Sequence, residues 1–211
     1  ALWARGVHTI DALILSHSDA DHINGAIGLV ERFRIRRVFI PPQFPNERIG
    51  RLLLREMAKR NIASCTVVAG QAIELEKDRI EVLTPPESSP LKIGHTPNER
   101  SLAVRLGSPG CRILLTGDIE RSAVCWLLNS GQDLSAEAVL LPHHGASADD
   151  CLLIVSAARP RIVIISCNAS SPTDLAGAAP GCRVLRTADC GAIELFDSGG
   201  SIAARTFLPV E

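Results

Sequence analysis

Short apolar runs alternate with helical patterns along almost the whole of this 211-residue chain. Apolar runs at residues 10–16 and 38–40 are each followed by a helical pattern, at residues 23–33 and 48–61 respectively. Layered α/β proteins alternate in this way, because strands build the sheets and amphipathic helices cover them. The pattern therefore predicts an α/β fold, and the length suits a single domain over residues 1–211 with a sizeable core.

The same alternation continues through the second half of the chain. In the helix predicted at residues 48–61, apolar spacing indicates a core-facing side. Its expected members are Leu52, Leu53, Met57 and Ala58. Further strands are predicted at residues 65–68, 72–75, 80–83, 138–141, 162–166 and 193–196 and around Val184. Residues 102–106 and 112–116 are predicted to pair as a hairpin, and further helices are predicted at residues 119–129 and 151–158.

Net charge and aromatic content narrow the function classes open to the chain. The formal net charge is -1, so there is no global positive field of the kind that many nucleic-acid binders carry. Five Phe, two Trp and no Tyr argue against a platform on which single-stranded bases stack. A nucleic-acid role would need metal ions or local basic patches, and the arginines of the first third could form such a patch or simply a solvated surface. These arginines are Arg32, Arg34, Arg36, Arg37, Arg48, Arg51 and Arg55.

Hydropathy and cysteine spacing argue against membrane-spanning proteins and against two common kinds of cysteine site. No apolar run approaches the roughly 18 residues that a membrane-spanning helix needs. The seven Cys form no CxxC pair, which argues against zinc-ribbon and thioredoxin-like sites. Reduced, buried thiols are the simplest interpretation, and with no signal peptide in the sequence they indicate a cytoplasmic location for this chain alone.

The strongest chemical signal is the polar cluster that joins the first apolar run to the first helix. Four potential metal ligands fall within six residues there, namely His17, Asp19, Asp21 and His22. Alternate residues of an extended turn, His17 and Asp19, can face one point. The two at the start of the helix, Asp21 and His22, can face a neighbouring point, so one loop could serve two adjacent metal ions. The alternative is a polar turn in which Asp19 or Asp21 caps the helix, but a cap needs only one carboxylate.

Two later strands end in residues of the same chemistry. Asp118 follows Gly117 directly after an apolar strand and could bridge two metals, although the pair alone also fits an ordinary turn. His143 and His144 follow the strand predicted at residues 138–141, where the alternative is a surface turn with incidental imidazoles. Strand ends on one side of a sandwich can converge, so we interpret the three segments as one metal site.

The two remaining histidines, expected on the surface or in the core, are His8 and His95.

In these motifs the chain resembles the metallo-β-lactamase superfamily, whose leading motif is HxHxDH. Here Asp19 replaces the second His, and this HxDxDH variant, with NERSL, RILLTGDIE, LLPHHG and PRIVIIS, is similar to the hydrolase domain of the ComEC-type DNA-internalisation competence proteins. The similarity runs from about residue 7 to residue 193 and implies a four-layer αββα sandwich.

Two segments that family members usually carry are missing. Members begin with strands that hold DVGQGD and DxG segments, so the resemblance predicts a fragment or truncated form without the N-terminal strands of the sandwich. Members also often carry GHP after the strand at residues 162–166, where residues 170–174 of this chain hold no His.

The resemblance further implies a centre of two divalent ions, zinc or manganese. One ion would be bound by the first His and Asp of the motif and the other by its last Asp and His, with Asp118 between the ions. One of His143 and His144 would complete the second site, and His144 is the favoured ligand. The implied ligands are His17, Asp19, Asp21, His22, Asp118 and His144.

The resemblance also implies which residues act on the substrate. Asp21 would orient the attacking water or move its proton, and His143 would contact the substrate or leaving group. Asn98 and Ser101 lie where members often carry a further His, and they are expected to contact the substrate; a loop-turn role for Asn98 is the alternative.

These expectations favour hydrolysis of DNA phosphodiesters, in single strands, as part of DNA uptake. The partners would be DNA and the membrane channel of a competence transporter, on the extracytoplasmic face of a bacterial inner membrane, and no nucleotide cofactor is expected. Two alternatives stay open: a small-molecule metallo-hydrolase acting on a lactam, lactone or phosphoester, and a truncated domain without catalysis.

Overall fold

The computed structural model describes residues 2–75, 78–88, 96–107, 110–169 and 181–209. In this part of the chain two β-sheets lie face to face, and helices cover the outer side of each sheet. One apolar cluster lies between the sheets and one lies under each helical layer, so the αββα architecture predicted from the sequence is confirmed. Within these ranges, no helix combines the length and apolar composition that crossing a membrane requires.

The smaller sheet comes from the first third of the chain. The elements of this third are β1 (Thr9–Ile10), β2 (Leu13–Ile14), α1 (Ala20–Arg32), β3 (Arg34–Ile35), β4 (Val38–Ile40), α2 (Arg48–Lys59) and β5 (Ser64–Thr66). The smaller sheet consists of β2, β4 and β5, and β1 and β3 form a separate two-stranded sheet. Strands β2, β4 and β5 are parallel, because helical crossovers connect them. The prediction of one buried strand at residues 10–16 is wrong: β1 pairs with β3 and β2 with β4, and the charged Asp11 between them turns outward to an ion pair with Arg36.

The larger sheet takes its strands from the rest of the chain. The elements are β6 (Ala72–Glu74), β7 (Arg79–Thr84), β8 (Ala103–Leu106), β9 (Ile113–Leu115), α3 (Arg121–Asn129), β10 (Ala138–Leu140), α4 (Ala148–Ala158), β11 (Ile162–Ile165), β12 (Arg183–Arg186), α5 (Thr187–Cys190), β13 (Ile193–Asp197) and β14 (Ile202–Thr206). The described strands of this sheet lie in the order β12-β11-β10-β9-β8-β7-β6, parallel from β9 to β12 and antiparallel from β6 to β9. The predicted hairpin is confirmed as the β8–β9 pair, although residues 108–109 of its turn, like His95 and residues 170–174, lie outside the described residues.

Helix α2 packs on a face that differs in part from the predicted one. Leu53 and Met57 are buried as expected, but Leu52 is 45% exposed and Ala58 is also exposed. Gly50 takes their place in the contact, because its missing side chain lets the helix approach the backbone of Phe44, with which a Cβ would collide. A glycine in the contact therefore rotates the helix away from the orientation that apolar spacing alone predicts.

A hairpin of β13 and β14 covers the part of the larger sheet that the smaller sheet leaves open. Leu195 and Ile202 of the hairpin pack against Ala138, Ile162 and Leu185 of the larger sheet. The sequence predicted β13 but not β14, because β14 contains two alanines and two polar residues and so has low strand propensity.

The strands that precede the predicted site end at one edge of the sandwich. Because β9 and β10 are parallel neighbours, the turns that follow them lie side by side, and the His143 N–H donates to the Gly117 carbonyl at 3.1 Å. The Leu102 N–H donates to the Ser16 carbonyl at 2.8 Å, which joins the larger sheet to the loop after β2. Three segments that are distant in sequence therefore meet at this edge.

Candidate metal centre

The loop between β2 and α1 presents its carboxylates and imidazoles at the start of the helix. His17 is only 2% exposed, whereas Asp21, in the first helical turn, is exposed. Asp19 occupies the N-cap position, but its side chain makes no capping hydrogen bond. The capping alternative therefore does not account for these carboxylates.

Ligand atoms from three segments converge on one point. One nitrogen or oxygen from each of Asp21, His22, Asp118 and His144 lies within 4.8 Å of the others. His22 Nε2 is 3.2 Å from Asp118 Oδ1 and 3.4 Å from His144 Nε2. His144 Nε2 is in turn 3.5 Å from Asp21 Oδ2. Two imidazoles and two carboxylates at these separations form a donor set that divalent transition metals bind.

His17 and Asp19 form a second group beside this set. His17 Nε2 is 3.8 Å from Asp19 Oδ2 and 3.9 Å from Asp118 Oδ2, and this same Asp118 oxygen is 3.7 Å from His144 Nε2. The Nε2 atom of His17 is buried, and no described residue makes a hydrogen bond to it. A buried polar atom without a partner is costly, and a bound cation would satisfy it. The residues present therefore fit a divalent metal on this side as well.

Burial and close charges set the protonation states of this cluster. Burial, followed by the nearby His22, lowers the pKa of His17 below its ordinary value. The hydrogen bond with Asp118 raises the pKa of His22, because it stabilises the imidazolium form. Burial pushes the pKa of Asp118 upward, but the hydrogen bond from His22 and the surrounding imidazoles outweigh it and lower that pKa. A neutral His17 and an ionised Asp118 are the forms that ligate metals.

Three of the imidazoles are oriented by partners on their Nδ1 atoms. The Ser16 hydroxyl oxygen lies 3.1 Å from His17 Nδ1 and 3.2 Å from His22 Nδ1. The Ser166 carbonyl accepts a hydrogen bond from His144 Nδ1 at 2.8 Å, which places the proton on Nδ1 and leaves the Nε2 lone pair for another partner. Second partners of this kind are characteristic of imidazoles that bind metals.

Gly117 allows the turn before Asp118 to approach the neighbouring chain closely. Its φ is 57°, and a Cβ at this position would lie 2.9 Å from the Leu102 carbonyl oxygen and 3.1 Å from the Ser101 Cβ. A side chain would therefore meet both strain and a clash, and glycine is needed to present Asp118 to the cluster.

His143 has a different environment from its neighbour. Its Nδ1 lies 3.3 Å from Glu120 Oε1, which also accepts a hydrogen bond from Asn98 Nδ2 at 3.1 Å. Both His143 and His144 adopt left-handed backbone angles, with φ of 47° and 55°, which turns the two adjacent side chains in different directions. Of the two histidines, the structure thus brings His144 to the predicted ligands and His143 to Glu120.

The two predicted substrate contacts differ in accessibility. Asn98 is half-buried, and its Oδ1 has no hydrogen-bond partner among the described residues. Ser101 is fully buried, so a substrate would reach its hydroxyl only if the residues that cover it moved. Of the histidines predicted to lie outside the site, His8 is on the surface beside Trp3.

Sequence reasoning missed three polar residues that support the site. Ser16 and Glu120 each lie within two residues of a predicted ligand, and this proximity was the signal that could have identified them. Glu99, in the NERSL segment, is buried and accepts hydrogen bonds from the Ser122 and Ala123 N–H groups at 3.2 and 2.8 Å. It thereby caps the start of α3, a role that no local pattern indicates, because donor and acceptor are more than twenty residues apart.

A cavity of about 60 Å³ adjoins the cluster on the His17 side. The loop before α2 forms its opposite wall through Asn46 and Glu47, and Arg100 lies between the two sides. A second cavity of about 190 Å³ shares Asn46 and Arg100 with the first. The first cavity thus provides a path from His17 to Glu47, the N-cap residue of α2.

An αββα sandwich with imidazoles and carboxylates gathered at one edge defines the class of metal-dependent hydrolases. The chain belongs to the metallo-β-lactamase superfamily, whose family model matches residues 1–167. The solved structure of a candidate metal-dependent hydrolase of Parabacteroides distasonis shares this fold, with a TM-score of 0.55 at 13% identity over 84% of this chain and 76% of that one. Divalent metal ions are what this fold implies for the cluster.

Two bacterial competence proteins are similar in sequence. The chain is 28% identical over 165 residues to ComE operon protein 3 of Bacillus subtilis (strain 168), which covers 78% of this chain and 21% of that protein. It is 26% identical over 217 residues to competence protein ComA of Neisseria gonorrhoeae, which covers 97% and 28% respectively. The chain therefore spans between a fifth and a third of the length of these relatives, and the predicted resemblance to competence proteins is confirmed.

Proposed function

We propose that this protein is a metal-dependent phosphodiesterase that cleaves DNA, single strands in particular, during bacterial DNA uptake. The observation that carries the proposal is the convergence of imidazole and carboxylate atoms from three strand ends within 4.8 Å. The similarity to two competence proteins supports DNA as the substrate, since competence is the uptake of DNA.

The cluster suits two divalent ions, zinc or manganese. His17 and Asp19 would hold the first ion and Asp21 and His22 the second, in keeping with the two groups of short distances. Asp118 would serve both ions, because its carboxylate lies within 3.9 Å of imidazoles from both groups. His144 would complete the second site, and this set of three carboxylates would accept manganese as well as zinc.

Bound ions would supply an acidified water and would neutralise the charge that develops on the phosphate oxygens. Asp21, which is exposed at the rim, would orient that water or accept its proton. His143, held through Nδ1 by Glu120, would use its Nε2 to contact the substrate or the leaving oxygen. Asn98 would contact the substrate beside it, and Ser101 would do so only after a local rearrangement.

The chain would act beside the membrane channel of a competence transporter, on the outer side of the bacterial inner membrane. This placement is supported by the two competence relatives, which are several times longer than the present chain.

Cleavage assays on protein loaded with zinc or manganese test the proposal. The substrates are a labelled single-stranded oligonucleotide, its duplex, bis(p-nitrophenyl) phosphate and nitrocefin. We expect cleavage of the single strand, loss of activity in Asp118→Asn, and unchanged activity in His8→Ala, which alters a surface imidazole away from the cluster.

Two other outcomes would overturn the proposal. Turnover of nitrocefin or the small phosphodiester without cleavage of DNA would indicate a small-molecule hydrolase. Absence of bound metal after reconstitution, measured by mass spectrometry, would indicate a domain without catalysis.

A further inference from the structure

Helix α2 carries an exposed row of three arginines, here called the arginine face: Arg48, Arg51 and Arg55. Neither Arg48 nor Arg55 makes a hydrogen bond or ion pair with any residue in the described ranges. The three residues are spaced three and four apart, so they lie on one side of the helix, opposite the buried Leu53 and Met57.

The arginine face begins one residue after Glu47, which lines the cavity beside the metal centre. Arg51 donates hydrogen bonds to the carbonyls of Pro45 and Asn46, which fixes its guanidinium at the rim. Asn46 lines both cavities, and the first of them reaches His17 in the cluster. Arg100 adds a further guanidinium to the wall of the same path.

The position of these charges opposes helix stability. Arg48 is the first residue of α2 and places a positive charge at the positive end of the helix dipole; the acidic residue beside it is Glu47 at the N-cap position, whose side chain makes no capping hydrogen bond. Such a placement costs about 0.3–1 kcal/mol. Arg121 also begins a helix, α3, but it is paired with Asp150 of α4 at 2.8 Å, whereas Arg48 has no such partner among the described residues. Arg51 therefore has a role in holding the loop before α2, whereas no contact in the described ranges gives Arg48 or Arg55 a role in the stability of the fold.

Two other arginines of the first third are engaged, whereas the side chains of Arg32 and Arg34 are exposed and make no hydrogen bond or ion pair within the described ranges. Arg36 forms an ion pair with Asp11 at 3.0 Å, and Arg37 donates to the Glu74 carbonyl at 2.8 Å. Arg32 ends α1, about 15 Å of helix away from His22 in its first turn, so Arg48 and Arg55 are the arginines without a partner in the described ranges that lie beside the loop lining the cavities.

We propose that the arginine face binds backbone phosphates of the single strand that the metal centre cleaves, so that the strand leaves the centre along α2. The proposal rests on the proposed function. The rise of a helix places Arg48 and Arg55 about 10 Å apart along its axis, so each guanidinium can contact a separate phosphate. An unpaired guanidinium suits a phosphate oxygen because it is always charged and offers several donors in one plane.

The salt dependence of DNA binding tests this inference. The affinity of the 211-residue protein for a labelled oligothymidine is measured by fluorescence anisotropy over a range of salt concentrations. Each lost phosphate contact on a single strand lowers the slope of log K against log salt by about 0.7, so Arg48→Gln/Arg55→Gln should lower it by about 1.4.

A matched pair of arginines provides the control. Arg159 and Arg161 are exposed just before β11, whose parallel alignment with β10 places them at the edge opposite the metal centre. Arg159→Gln/Arg161→Gln removes the same net charge and should leave the slope unchanged. Arg48→Lys/Arg55→Lys should retain the slope, and thermal unfolding checks that every variant is folded.

Each outcome has a defined meaning. Absence of oligothymidine binding by the unaltered protein, or an equal slope in the two Gln double variants, overturns the inference. If the slope depends on Arg48 and Arg55 but no strand is cleaved, the proposed function fails while the binding face stands. If the strand is cleaved but the slope is unchanged in Arg48→Gln/Arg55→Gln, the inference fails while the proposed function stands.

Discussion

Ser16 lies one residue before the first predicted ligand, and its hydroxyl oxygen is shared by two imidazoles that belong to different halves of the cluster. If this oxygen accepts a hydrogen bond from both Nδ1 atoms, both Nε2 lone pairs face the cluster. Single polar atoms of this kind therefore decide whether a histidine is presented in the tautomer that binds metal.

We expect Ser16→Ala to weaken metal binding by about 10-fold, because both imidazoles lose the group that orients them. Competition with a chromophoric chelator measures the affinity, and Ser16→Thr should restore it. Ser18→Ala is the control, since Ser18 is also buried but hydrogen-bonds no imidazole in the described part of the chain. Equal affinities for the two Ala variants would contradict the role assigned to Ser16.

The two adjacent histidines should respond differently to removal. His144→Ala should reduce the metal content, because His144 Nε2 lies within 3.5 Å of Asp21 Oδ2. His143→Ala should retain the metal and lose activity, since its Nδ1 is directed at Glu120. Mass spectrometry of the reconstituted variants and the cleavage assay separate the two effects. Retention of all metal by His144→Ala would show that the assignment is reversed.

At the scale of single elements, the turn between β9 and α3 decides how the ligands are presented. It must pass close to the Leu102 carbonyl and deliver Asp118 to the cluster, and this is possible only with glycine at position 117. The end of β10 is turned in a comparable way by the left-handed backbone of the two histidines. Glycine adopts this backbone freely, whereas the two histidines are strained in it, and such strain is typical of a site that is maintained for its chemistry.

Gly117→Ala should destabilise the protein by about 2–4 kcal/mol, from left-handed strain and from the clash with Leu102. Gly131→Ala is the matched control, because Gly131 also has a positive φ but nothing lies within 4 Å of its Cβ position. It should cost only about 1–2 kcal/mol for the strain. Urea unfolding measures both, and equal losses would mean that the close approach contributes nothing.

For the whole molecule, stability rests on the apolar clusters between the four layers and on a charged network at one side of the larger sheet. The nearly buried Arg105 of β8 contacts Glu81 of β7 at 2.6 Å and Asp133 at 2.9 Å. Hydrogen bonds from Ser135 and then from Arg105 hold the pKa of Asp133 well below its ordinary value. This network joins strand β8 to the segment that precedes β10.

The contribution of Asp133 should depend on pH. Because its pKa is lowered in the folded state, its contribution is fully present above the unfolded value of about 3.9 and is lost as the pH falls through that range towards the folded pKa. Asp133→Asn should therefore lower the free energy of unfolding by about 1 kcal/mol at pH 7 and by less near pH 3. Urea unfolding at both pH values tests this. Asp11→Asn, in a pair exposed on both sides, should cost less, and a loss in Asp133→Asn that grows at low pH would contradict the sign.

Much of the fold and the composition of the site could be predicted from sequence, because they depend on local chemistry. Apolar runs marked most of the strands, and polar residues at their ends marked three segments of one site. Parallel strands in neighbouring positions place their ends at one edge, so the convergence of Asp118 and His144 followed from the order of elements.

Only the tertiary structure decided how side chains are directed and which surfaces are paired. The contact between His22 and His144 joins residues 122 positions apart, and the hydrogen bond from His144 to Ser166 depends on the packing of β10 against β11. The exposure of Leu52 likewise depends on how α2 packs, with Gly50 buried against Phe44. Sequence determines where strands end and which groups follow them, whereas the direction of each group depends on distant neighbours that local patterns do not encode.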